Sequence, residues 1–216
     1  MTGVPARPDV LVIGGGRFGQ LAIQRLPGRV AAVVEPRPSP ELRGLAQEQG
    51  IRVLIDDGAR ALEQALAGPG PLVWVVPALP RHLLLDWLLL TLPNARRLAL
   101  STGVLPELPS VMAGPEGQAY LSLADFQCPD DCPEPEGYCT STGLPREEPL
   151  YQALAGLAAP GMHTAVLRSH QLAPGVGGYQ AAALLALREG IRGQGGRWLL
   201  ATACSCHGVL NALEIC

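Results

Sequence analysis

Residues 10–19, VLVIGGGRFG, constrain this chain more than any other segment, because four apolar residues run straight into three consecutive glycines. Gly14, Gly16 and Gly19 fall on G-x-G-x-x-G, and a second apolar run, VAAVV, ends at Glu35, 21 positions after Gly14. A strand, a glycine turn, a helix start and a second strand closed by an acid are the parts that a dinucleotide's pyrophosphate and ribose require. Gly14 is suited to the sharp turn, Gly16 to close approach of backbone and phosphate, and Gly19 to packing of the helix on the strand. Gly15, Arg17 and Phe18 complete the loop, where the helix N-terminus offers unpaired N–H groups and partial positive charge to an anion. Glu35 is placed to accept hydrogen bonds from the ribose hydroxyls, which favours NAD, since a carboxylate would repel the 2′-phosphate of NADP. Arg37 lies two residues on and leaves NADP open.

The chain around this motif alternates. Residues 10–13, 30–34, 51–55, 72–76 and 97–101 read as short apolar strands, separated by helices at 18–26, 40–48, 59–66 and 81–92. Such alternation implies a parallel sheet covered on both faces. Residues 102–146 break the pattern: they are rich in Pro, Gly and acids and show no clear helix or strand. Residues 147–216 return to alternation, with helices at 148–158 and 179–188, strands at 164–168 and 198–203, a turn-like APGVGG at 173–178 and a short terminal helix at 209–215. The expected architecture is therefore α/β, a doubly wound, mostly parallel sheet of about seven strands. It comprises a dinucleotide-binding core at 1–103, a Cys/Pro-rich loop at 104–146 and an extension of the same sheet at 147–216.

Residues 8–103 resemble the NAD(P)-binding Rossmann superfamily, the resemblance being carried by Gly14, Gly16, Gly19 and Glu35. Within it they look most like the nucleotide domains of potassium-uptake regulators and of siroheme-forming dehydrogenases. The resemblance implies a fold and a cofactor, NAD, and no particular reaction.

Composition removes several chemistries. All 16 basic residues are arginine, so a Schiff-base lysine, a lysine general base and a phosphate-binding P-loop lysine are excluded. Net charge is −3 without a basic tract, which argues against a nucleic-acid partner. No apolar run approaches the roughly 18 residues of a membrane span. The first ten residues carry no signal-peptide core, so the expected location is cytoplasmic.

All six cysteines lie in the second half: Cys128, Cys132 and Cys139 in FQCPDDCPEPEGYCTSTG, then Cys204, Cys206 and the terminal Cys216. In a cytosolic protein a local cysteine cluster points to metal or redox chemistry before disulfides. Thiolate ligation with a proline after the ligand cysteine recurs in iron–sulfur binding runs. The leading expectation is an iron–sulfur cluster of the four-iron type on Cys128, Cys132, Cys139 and one of Cys204 or Cys206, although the spacing departs from the common ferredoxin runs. Zinc on four cysteines, or on three with His207, is the alternative. The acids Asp130, Asp131, Glu134 and Glu136 stud the loop as a solvated surface or as negative charge beside a centre. Cys216 is expected to be a bystander.

Lesser candidates lie at the ends of the predicted strands. His170 is a candidate proton donor beside a nicotinamide or substrate. Ser101, with Thr102 and Gly103, is placed to line the nicotinamide side. Gly175, Gly177 and Gly178 fit a plain turn better than a second phosphate cradle. The functional expectation is an NAD(H)-binding oxidoreductase or redox sensor carrying a cysteine-ligated centre. A one-electron partner protein is implied by the absence of a flavin motif, and a homo-oligomer is left open. Two alternatives stand beside it: a nucleotide-sensing regulatory module with structural zinc, and a small-molecule NAD-dependent dehydrogenase.

Overall fold

The computed structural model describes residues 8–216 apart from Pro69, Pro71 and Glu136, with the Thr102 side chain also outside the description. The place of Glu136 among the loop acids therefore lies outside the described residues. In chain order the elements are β1 (Val10–Ile13), α1 (Arg17–Arg25), β2 (Val30–Val34), α2 (Pro40–Glu48), β3 (Arg52–Leu54), α3 (Gly58–Ala67), β4 (Trp74–Pro77), α4 (Leu83–Thr91) and β5 (Ala95–Leu98). They continue with β6 (Ser110–Ala113), β7 (Ala119–Ser122), α5 (Leu150–Ala155), β8 (His163–Arg168), β9 (His170–Ala173), β10 (Val176–Gln180), α6 (Ala181–Gln194), β11 (Gly196–Ala203) and β12 (His207–Ile215).

Local chemistry explains where the early helices begin. Ser39 caps α2 by accepting from Leu42 N–H at 3.2 Å, with Pro40 pre-set in the first turn, and Asp57 caps α3 through Ala59 N–H at 3.0 Å. α4 carries five buried apolar residues, among them Trp87, and so cannot be a surface helix.

These elements do not form one doubly wound, mostly parallel sheet, and that expectation is corrected. Two sheets are present, ordered β3-β2-β1-β4-β10-β9 and β6-β7-β12-β11-β8, with β5 also paired to β12. Among the described residues, the β1–β2, β1–β4, β2–β3 and β8–β11 pairings are parallel, and the other six of the ten are antiparallel. Residues 147–216 do not extend the first sheet as one block. They supply β8, β11 and β12 to the second sheet and only the β9–β10 hairpin to the first.

Three further expectations change with this. Residues 209–215 belong to β12, not to a helix, because β11, β7 and β5 all hydrogen-bond to that strand. The APGVGG turn is the tip and one arm of a hairpin. The 102–146 stretch contains β6 and β7, paired antiparallel around a Gly114–Gly117 turn.

Strand alternation shows how the layers stack. On β1, Val10 and Val12 pack with Ala22, Ile23 and Leu42 of α1 and α2, while Leu11 and Ile13 pack into the cluster that contains Trp87 of α4 and Leu184 of α6. On β11, Leu200 joins that same cluster, and Leu199 and Ala201 turn the other way toward Leu150 and Leu154 of α5. The period of two puts both faces of both sheets under cover. Helices α3, α4 and α6 thus fill the space between the sheets, with α1 and α2 outside one and α5 outside the other.

The chain changes sheet between β8 and β9 at Ser169, whose N–H donates to Ala203 O at the end of β11, 2.8 Å away. That seam places the start of β9 beside the end of β11 and the β11–β12 turn, and the site lies there.

Candidate functional site

The glycine turn is built from backbone. Gly14 N–H donates to Val34 O at 2.8 Å and Ala78 N–H to Ile13 O at 2.7 Å, tying the turn to the ends of β2 and β4. Gly14 has φ +106°, and a Cβ there would lie 2.2 Å from Ala78 O; one on Gly19 would lie 2.0 Å from Gly14 O. Both positions therefore require glycine, for the turn and for helix-on-strand packing. A Cβ on Gly16 would meet nothing within 4 Å, so the backbone there faces open space. Gly16 caps α1 without any side-chain hydrogen bond, which leaves the first-turn N–H groups free of a side-chain partner. The Glu35 carboxylate accepts from Gly15 N–H at 2.8 Å and from Arg37 N–H at 3.1 Å. Each oxygen keeps a lone pair for a ribose hydroxyl.

The cysteine region is built around a cavity of about 790 Å³, inside the roughly 300–1,000 Å³ range of small-molecule and cofactor sites. Cys128, Cys132, Cys139, Cys204 and Cys206 all line it, although the first and last are 78 positions apart. Among the described residues, however, no group of three or more His, Cys, Asp or Glu side chains is already gathered in a metal-holding arrangement. The thiols share a wall without closing on one point.

Two structures hold the two cysteine groups. The turn between β11 and β12 is closed by Cys204 N–H donating to His207 O at 2.9 Å, and the Cys204 sulfur accepts from Cys206 N–H and His207 N–H, both at 3.4 Å. The Cys128–Cys132 segment is clamped from two sides. Cys132 O accepts from Gln171 Nε2 at 2.7 Å and from Gly175 N–H at 3.1 Å, and Asp130 O accepts from Arg25 Nη1 at 2.8 Å. Gly175, at φ +68° on the β9–β10 turn, lies so near that a Cβ would fall 1.6 Å from Asp130 O. Arg17 pairs with the Asp130 carboxylate, and Phe18, 54% exposed, lines the cavity. The helix that begins at the glycine turn is thus one wall of the cysteine site.

Electrostatics differ around the thiols. Burial pushes Cys204 up to about 12, with Glu134 adding to the shift, and pushes Cys206 up to about 11 against the favourable Arg146 guanidinium. Cys128 is raised by burial and by the Cys132 and Cys139 thiols, whereas hydrogen bonds from Thr142 and Ser141 lower Cys139. Burial lowers His207, which also lines the cavity.

Of the remaining sequence candidates, Gly175 and Gly177 line the cavity, whereas His170, Ser101, Gly178 and Cys216 lie outside its wall. His170 packs edge-on against Trp74, ring centroids 5.5 Å apart, and burial followed by Arg168 lowers its pKa. Alternation along β9 turns its neighbours Ser169 and Gln171 to the cavity instead. Ser101 is exposed and accepts from Gly103 N–H at 3.4 Å. Gly177 and Gly178 are strand residues, and Cys216 is exposed at the end of the chain.

Sequence reasoning missed Arg146. Its Nη2 donates to the Cys206 sulfur at 2.7 Å, and its Nη1 to Pro135 O at 2.9 Å. The available signal was that Arg146 is the only basic residue between Arg97 and Arg168.

Among the described residues no helix is long and apolar enough to cross a membrane, in line with the sequence expectation. A family model, AF_1314_C, described as "Uncharacterized protein, C-terminal domain", matches residues 82–216, from the start of α4 to the end. An uncharacterized protein of Archaeoglobus fulgidus is 28% identical over 217 residues, covering 94% of this chain and 98% of its own length. No solved structure matches.

Proposed function

We propose that this chain, which belongs to the AF_1314_C family, is an NAD(H)-binding redox protein whose cysteine cavity holds a metal–sulfur centre of the iron–sulfur kind. One observation carries the reading: five cysteines from two distant segments line a single cavity whose wall includes Phe18, next to the glycine turn. Thiolates in a closed loop with proline neighbours suit iron. The glycine turn supplies the other half: Gly16 backbone opens to solvent, the first-turn N–H groups of α1 and the Arg17 guanidinium offer positive charge to a pyrophosphate, and Glu35 orients the ribose.

The protein's own residues do three things in this reading. The Arg146 guanidinium donates to the Cys206 sulfur, and such bonds tune a cluster's potential. Phe18 and Leu144 form an apolar lip on the cavity. Asp130, held by Arg17 and Arg25, keeps the cysteine loop against the nucleotide-bearing helix. When bound, the centre supplies one-electron chemistry and the nicotinamide two-electron chemistry, so a redox partner protein belongs to the proposal. A cytoplasmic location fits free thiols.

The test is anaerobic purification of the full chain, with iron, sulfide and zinc analysis, a visible spectrum and a fluorescence titration with NADH. The expected result is a brown protein with iron and sulfide in equal amounts that binds NADH. A colourless protein with one tightly held zinc overturns the iron–sulfur assignment, and a protein that does not quench or enhance NADH fluorescence overturns the nucleotide half.

A further inference from the structure

Five cysteines line the cavity, while a four-iron cluster takes four thiolates, so one is not a ligand. The two hairpin thiols are held differently. The Cys204 sulfur is held within its own turn, accepting from Cys206 N–H and His207 N–H at 3.4 Å each. The Cys206 sulfur is instead tied across the cavity to the cysteine loop by Arg146 Nη2 at 2.7 Å.

Arg146 is itself fixed with the Cys139 segment. Its N–H donates to Gly137 O at 2.7 Å, Cys139 N–H donates to Leu144 O at 2.9 Å, and Gly143 N–H donates to Cys139 O at 2.8 Å. Cys139 and Arg146 therefore lie on the two arms of one small turn, bridged at Tyr138 and Pro145. The guanidinium that reaches Cys206 starts from the same turn that carries a ligand.

We infer that Cys206, and not Cys204, completes the set begun by Cys128, Cys132 and Cys139, and that Arg146 is its positioning residue. The assignment rests on the metal-centre reading above. Arg146 also acts through charge. It stays protonated at any working pH, and a fixed cation beside a ligand sulfur favours the more negative, reduced state of the centre, raising its reduction potential.

The experiment compares wild type, Cys204→Ser, Cys206→Ser, Arg146→Gln and Arg146→Lys, each reconstituted anaerobically with ferrous iron and sulfide as the full chain. Fold is checked separately by circular dichroism and by NADH titration at the glycine turn. Cys204→Ser is expected to keep wild-type iron and sulfide, and Cys206→Ser to lose at least half of both. Arg146→Gln should move the midpoint potential to a more negative value, with Arg146→Lys between it and wild type. Should Cys206→Ser fail to fold, the Arg146 pair carries the test alone. Loss of the centre on Cys204→Ser with retention on Cys206→Ser, or an unmoved potential in a loaded Arg146→Gln, overturns the assignment and leaves the metal-centre reading standing. A wild type that takes up neither iron nor sulfide overturns both.

Discussion

Arg17, the first residue of the helix that leaves the glycine turn, is ion-paired with Asp130 of the cysteine loop, 113 positions further along the chain. The main chain of Asp130 also takes a hydrogen bond from Arg25, the last residue of the same helix. One loop residue is therefore gripped from both ends of α1. A pyrophosphate at the start of α1 would compete with Asp130 for the Arg17 guanidinium.

Asp130→Asn is accordingly expected to tighten NADH binding at low salt, since it frees Arg17. The Arg17 side chain is 71% exposed, and exposed pairs contribute about 0.2–1 kcal/mol, so the gain is at most about fivefold. Arg17→Ala should weaken binding instead. Fluorescence titration of both variants at two salt concentrations checks this, and equal affinities for wild type and both variants would count against a pyrophosphate at this turn.

Gly16 and Gly19 separate folding from binding. Gly19→Ala sets a Cβ 2.0 Å from backbone oxygen and should destabilise the protein by about 1–3 kcal/mol in urea denaturation, the scale of overpacking. Gly16→Ala meets open space and should change stability by about 1 kcal/mol or less. Its NADH affinity should nonetheless fall about tenfold or more, the equivalent of about 1.4 kcal/mol.

Gly175→Ala addresses the clamp on the cysteine loop. The position combines φ +68° with a Cβ only 1.6 Å from Asp130 O, so the β9–β10 tip and the loop must separate. A loss of at least about 1 kcal/mol is expected, together with faster proteolytic cleavage between residues 126 and 146. An unchanged digestion pattern would show that the clamp does not order the loop.

His82 sets a pH dependence for stability. It is buried at the start of α4, with Nδ1 2.9 Å from Asn211 Oδ1 and Nε2 2.9 Å from Thr202 Oγ1, and burial lowers its pKa to about 4. The unfolded chain, near 6.5 at this residue, binds the proton more readily, so its stabilising contribution is complete above about pH 6.5 and is lost as pH falls toward 4. The loss is about 3 kcal/mol, at about 1.4 kcal/mol per unit. Urea denaturation at pH 7, 5.5 and 4.5 should show a steeper decline for wild type than for His82→Gln, and parallel declines would place the titration elsewhere.

Much of the first half was legible before folding was considered. The strand at Val10–Ile13, the helix at Pro40–Glu48 and the strand at Val30–Val34 lie where their apolar runs and caps put them. These signals are local: a glycine triplet, a Ser-Pro cap and a run of buried valines need no distant partner to be read. The second half was harder. Residues 209–215, VLNALEI, have helix-forming composition, yet β12 gains hydrogen bonds from three strands, and tertiary pairing overrides propensity. β10 hid behind its glycines: Gly178 lies where a Cβ would be 3.0 Å from Val75 O, so close backbone approach excluded the residues that mark a strand.

The sequence alone determined the glycine turn and its acid, the absence of any lysine chemistry and the two places where cysteines occur. Sheet membership was decided only in three dimensions, because a short apolar strand reads the same whether its partner is parallel or antiparallel, or in one sheet or another. The meeting of the cysteines with α1 was decided there too, through the passage of the chain at Ser169 and the grip of Arg17, Arg25 and Gly175 on one loop residue. Those interactions join residues more than 30 positions apart, and no local pattern encodes a partner that far away.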